Sequence, residues 1–99
     1  MIHTERLFIK LEADGGMADI TTDVQAVVEE SGLRNGVVTV FMVGSTGSIT
    51  TTEFEPGLQK DIPKAMERIA PANAEYEHHK TWHDDNGRSH VRASIMGPR

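Results

Sequence analysis

Four of the five histidines in this 99-residue chain lie in EYEHHKTWHDDNGRSH, residues 75–90, with its single tryptophan and single tyrosine. His78, His83 and His90 follow one another at intervals of five and seven residues, with Asp84 and Asp85 between them. Neutral imidazoles and carboxylates are standard ligands for a divalent ion, zinc or magnesium being the candidates. The spacing is not that of a compact motif such as His-Glu-x-x-His on one helix face. Two readings stay open: a metal or catalytic site at these histidines, or a polar connection whose imidazoles cap turns or sit in water. His3 and His79 take the second reading.

A second group is GSTGS, residues 44–48. Glycines free the backbone to present N–H groups, and Ser45, Thr46 and Ser48 add hydroxyl donors, a combination that suits a phosphate or another anion. No lysine follows and no helix begins there, so it is not a P-loop, and taken alone such a stretch is more often a tight turn. Glu53 can act as a general base or ligand, whereas Glu55 precedes a helix start and favours it electrostatically. Arg92, two residues beyond His90, shares a face with it if both lie in a strand, and can pair with an anion. Met17, Met42, Met66 and Met96 are packing residues, and Trp82 anchors a loop or an interface.

The elements that must position these groups follow from periodicity. HTERLFIKLE, residues 3–12, alternates as a strand with Leu7, Ile9 and Leu11 on one side, and ADGG ends it. MADITTDVQAVVEESGL reads as a helix, with Asp19 or Thr22 as its cap, a Thr22–Gln25 capping box and Gly32 at its end. VVTVFMV and ITTTEF read as two strands joined by the small-residue loop. EPGLQKDIPKAMERIAP reads as a second helix with Leu58, Ile62, Met66 and Ile69 on one stripe. Pro56 suits its first turn, while Pro63 either delays its start to Asp61 or kinks it. SHVRASIMG reads as a last strand with Val91, Ala93 and Ile95 inward. The order β-α-β-β-α-β is that of an α+β fold, two helices on a largely antiparallel sheet.

Bulk properties set the outer limits. The length suits one domain over residues 1–99 with a thin core, burying about 60–65% of the surface exposed on unfolding. With no cysteine, thiolate chemistry is excluded. A net charge of -5 argues against a nucleic-acid partner. The longest apolar run is far short of a membrane span of about 20 residues, and the start lacks a signal-peptide core, so the expectation is a cytoplasmic protein.

The stretches VVTVFMVGSTGSITTTEFEPGLQKDIPKAMERIAP and YEHHKTWHDDNGRSHVRASIMGP resemble the YjbQ family, also called UPF0047 and described as secondary thiamine-phosphate synthase. The resemblance covers Met17 to Pro98. It implies a YjbQ-like α+β sandwich that assembles as a trimer, with a polar pocket near subunit boundaries. The family's recurring polar positions fall on Thr46, Ser48, Glu53, His78, Asp85 and His90. On that basis Glu53, His78, Asp85 and His90 are the expected catalytic residues. Ser45, Thr46, Ser48 and Arg92 are the expected contacts to a phosphorylated small molecule, and His78, His83 and His90 the expected ligands of a divalent metal.

The implied reaction joins a pyrimidine diphosphate to a thiazole phosphate with loss of pyrophosphate. The alternative is a non-catalytic oligomer that binds a metal or an anion, since no nucleophile or cofactor fingerprint is evident. Two departures stand out. Relatives carry a histidine where this chain has Gly44-Ser45, and they continue past the Gly97-Pro98 pair with further strands. Truncation, a naturally short form or strands from another chain are the expected explanations. The spatial expectation is that His78 and His90 face one cavity near the Thr46 or Ser48 hydroxyl, with His83 at the rim.

Overall fold

The structure, a computed structural model, describes residues 1–12 and 15–98; the start of the break read at ADGG lies outside them. Among the described residues four helices form: α1, Thr21–Ser31; α2, Pro56–Ile69; α3, Glu77–Trp82; and α4, Gly87–Met96. None of the described residues belongs to a strand. The expected α+β sheet, with its order β-α-β-β-α-β, is therefore corrected to an all-helical set of regular elements. Two compact units divide the chain at Val40–Phe41.

The first unit holds α1. Asp19 starts it, because its Oδ1 accepts the Thr21 backbone N–H at 2.9 Å and the Thr21 hydroxyl at 2.6 Å. The Thr22–Gln25 capping box does not form: the capping position is Ile20, which offers no side-chain bond. Gly32 ends the helix at φ 71, and its N–H bonds Glu29 O. That left-handed conformation costs glycine nothing. Val24, Val27 and Val28 make the half-buried face.

Residues 3–12 show why a strand was expected. Leu7 and Ile9 are 41% and 44% exposed while Phe8 between them is 89% exposed, so the period of two survives. Among the described residues no segment supplies the ladder, however, and a lone strand leaves its backbone groups unpaired.

In the second unit α2 is the best-specified element. Glu55 at its N-cap accepts from Gly57 N at 2.8 Å and Leu58 N at 2.5 Å, and Pro56 fills the first position without losing a bond. Pro63 sits inside the helix without ending it. Leu58, Ile62 and Met66 are half-buried, whereas Ile69 remains 54% exposed. Among the described apolar side chains, Ala70 at the helix end is the fully buried one.

The segment read as the last strand is α4. Val91 and Ile95 lie four apart and His90 and Ser94 do likewise, so the same letters satisfy the helical period. The Ser94 hydroxyl donates to His90 O at 2.7 Å, a bond across one helical turn. Beyond α4, consecutive carbonyls serve the two arms that had been read as a hairpin: Met42 N donates to Pro98 O and Ile49 N to Gly97 O. Two such bonds hold the 42–49 stretch without making a ladder. Among the described residues no helix is long and apolar enough to cross a membrane.

Candidate functional site

A short helix, a turn and a longer helix bring the late histidines together within the second unit. α3 carries His78 and His79, and α4 carries His90. The turn between them is possible because His83 adopts φ 59, a left-handed conformation, with its N–H on His79 O at 2.9 Å. The close approach also needs Gly87: a Cβ there would lie 2.7 Å from Tyr76 Cβ and 2.8 Å from Tyr76 Cγ. Histidine thus shapes the turn through its backbone at one position and fills the site at two others.

The rings of His78 and His90 are 4.6 Å apart, centre to centre, and tilted by 56°. His90 Nδ1 lies 3.1 Å from the Ser45 carbonyl oxygen. A carbonyl can only accept, so Nδ1 carries the proton and Nε2 of neutral His90 keeps a lone pair. His78 Nε2 lies 3.0 Å from Asn86 Oδ1 in hydrogen-bond geometry and 2.9 Å from Asp84 Oδ1. The Asn86 contact is the one in hydrogen-bond geometry, and with a negative carboxylate oxygen beside it this nitrogen carries the proton, which leaves the lone pair on Nδ1. Each ring therefore has one nitrogen engaged by the protein and one left to act.

The remaining expected residues are placed differently. Ser45 joins through its carbonyl rather than its hydroxyl. Thr46 is exposed, and the Ser48 hydroxyl contacts Met96 Sδ at 3.7 Å. Glu53 is exposed and enters none of the hydrogen bonds or ion pairs among the described residues. Asp85 gives its carbonyl to Arg88 Nη1 at 2.7 Å, and its carboxylate lies 3.6 Å from His79 Nε2. That gap is too long for a hydrogen bond, and His79 Nε2 is buried without one.

Arg92 leaves the pair altogether. Residues two apart point to opposite sides of a helix, so the shared face expected of a strand is lost. Its Nε donates to Ala70 O at 2.9 Å and its Nη2 to Glu67 Oε2 at 2.6 Å. The expected three-histidine metal set does not fit either. His83 is exposed and engaged through its backbone, and among the described residues no group of three or more histidine, aspartate or glutamate side chains is arranged around a common ion position.

Asp84 was noted only as one of two carboxylates between the histidines, and Asn86 was not singled out in the sequence. Their one signal is position: they lie in the turn that returns the chain to His78, where short polar side chains are expected to find nearby partners. Tyr76 was also missed; its hydroxyl donates to Pro71 O at 2.5 Å and its ring lies 5.6 Å from that of His79.

Comparison with known proteins gives a consistent result. Residues 5–99 match the family model described as UPF0047 protein YjbQ-like. A UPF0047 protein of Methanothermobacter thermautotrophicus is 36% identical over 96 residues, covering 97% of this chain and 66% of that protein. One from Archaeoglobus fulgidus is 34% identical over 79 residues, 80% of this chain and 59% of its own length. The UPF0047 protein YugU of Bacillus subtilis is 28% identical over 92 residues, covering 92% of this chain and 67% of that protein. The chain thus spans about two thirds of the length of the curated relatives it matches. No solved structure matches it.

Proposed function

This chain belongs to the YjbQ-like UPF0047 family, and from that premise we propose that its second unit binds a small phosphorylated molecule and exchanges protons with it at His78 and His90. The observation that carries this reading is the ring pair itself, 4.6 Å between centres, with His90 held on the Ser45 carbonyl. One nitrogen of each ring is fixed by the protein. The other can take up a proton and then donate it to a phosphate oxygen.

The reaction that fits the family resemblance is formation of thiamine phosphate from a pyrimidine diphosphate and a thiazole phosphate. The bond from the pyrimidine methylene carbon to the diphosphate oxygen breaks, and a bond from that carbon to the thiazole nitrogen forms. Pyrophosphate departs as an anion whose charge a protonated imidazole would offset. Arg92 has no part in this, because it is committed to Glu67 and Ala70 O. With the three-histidine set absent among the described residues, no step is assigned to a metal.

The test is turnover of the two phosphates by the purified chain, followed as thiamine phosphate, with pyrophosphate binding followed by phosphorus NMR. Wild type should form product and bind pyrophosphate. His90→Ala should slow turnover by roughly a hundredfold or more. Neither product nor pyrophosphate binding by wild type would remove the proposal, and binding without turnover would leave the non-catalytic anion-binding reading in its place.

A further inference from the structure

We infer that Asp84 is the positioning residue that makes Nδ1 the reactive nitrogen of His78. The inference rests on the acid–base reading above and deepens it. Asp85 was the aspartate expected in the site, yet it is Asp84 whose Oδ1 lies 2.9 Å from His78 Nε2. Asp85 is turned to Arg88 and towards His79.

The logic is one of which partner can change its role. Asn86 Oδ1 also meets His78 Nε2, at 3.0 Å. A carboxamide can turn either end to its neighbour, so Asn86 alone permits a proton or a lone pair on Nε2. An ionised carboxylate can only accept. The Asp84 oxygen lies off the N–H axis, which points to Asn86 Oδ1, but a negative oxygen 2.9 Å from Nε2 repels a lone pair there and attracts the positive hydrogen, so the carboxylate favours the proton on Nε2. Asn86 then presents its oxygen to the same N–H. The aspartate decides, and the asparagine follows.

The consequence mirrors the arrangement at His90, where the Ser45 carbonyl plays the fixed acceptor. The two rings are set in opposite senses: His78 is held at Nε2 and acts through Nδ1, while His90 is held at Nδ1 and acts through Nε2. An orienting acceptor behind each imidazole is what proton transfer requires of a pair that must not rotate. Asp84 is 48% exposed in its side chain, so solvent screens part of its charge.

The experiment reads the tautomer directly, by nitrogen NMR of the intact chain labelled in its histidine rings, with no ligand present. Wild type should show His78 with its neutral-form proton on Nε2. Asp84→Asn should lose that single tautomer and give a mixture, Asp84→Glu should largely restore it, and Asp85→Asn should leave it as in wild type. In turnover, Asp84→Asn should lower kcat by about tenfold or more with a smaller change in KM.

An unchanged tautomer in Asp84→Asn, or the same change in Asp85→Asn, would overturn the inference. The two proposals fail separately. A wild-type chain with no product and no pyrophosphate binding, but with a tautomer that obeys Asp84, defeats the proposed function and leaves the positioning role of Asp84 standing. Turnover with a tautomer indifferent to Asp84 does the reverse.

Discussion

Arg92 Nη2 and Glu67 Oε2 meet at 2.6 Å and join the helix that carries His90 to the end of the second helix. The same guanidinium donates to Ala70 O, the carbonyl of the one fully buried apolar residue described. The Arg92 side chain is 15% exposed and Glu67 is 53% exposed, so the pair is partly screened. Replacing Arg92 by methionine keeps the apolar stem and removes the donors. We expect a loss of about 1–2 kcal/mol in urea unfolding, with α4 amides exchanging faster. Wild-type stability in Arg92→Met would contradict this link.

Gly87 offers a second test, because two effects oppose each other there. Alanine in place of glycine gains at most about 1 kcal/mol from propensity, the value for a helix interior, and Gly87 is the first residue of α4. Here the added methyl would meet Tyr76 Cβ at 2.7 Å and Cγ at 2.8 Å, atoms that cannot swing aside without moving the backbone of α3. Overpacking of this kind costs about 1–3 kcal/mol and should win. Gly87→Ala is expected to lower the unfolding midpoint and to weaken the ring contact between His78 and His90, read from their proton shifts.

The start of α1 should respond to acid. Asp19 is held below its ordinary value of 3.8, first by the Thr21 hydroxyl and then by the Thr21 amide. A carboxyl depressed in the folded state stabilises it fully above the unfolded value, and that contribution is lost as pH falls through the lower folded value. Amide shifts of Thr21 to Val24 should therefore move as pH is taken from 5 to below 3.8. Asp19→Asn should abolish that movement, and its persistence in the variant would rule Asp19 out as the cause.

Legibility in the sequence followed how local each determinant is. α2 could be read because Glu55, Pro56 and the Leu58–Ile62–Met66 stripe act within a few turns of one another. The end of α1 could be read because Gly32 must supply a left-handed residue. α4 was misread because Val91, Ala93 and Ile95 satisfy a period of two while Val91 and Ile95 also satisfy a helical turn. Short apolar runs do not separate the two. The expected sheet depended on pairing between distant segments, and no local signal shows whether a partner strand is supplied. At the site, the meeting of His78 and His90 was expected from the family resemblance. The fixed acceptors Ser45 O, Asp84 and Asn86 depend on backbone direction and turn geometry, which residue types alone do not encode.

The two bonds from Met42 N and Ile49 N to the carbonyls after α4 have a bearing on biosynthesis. A ribosome releases the middle of the chain well before residues 97 and 98 emerge, so the second helix can form while the loop that will later touch His90 still lacks its anchors. The contact between the Ser45 carbonyl and His90 therefore gains these flanking bonds only after the whole of α4 has been made.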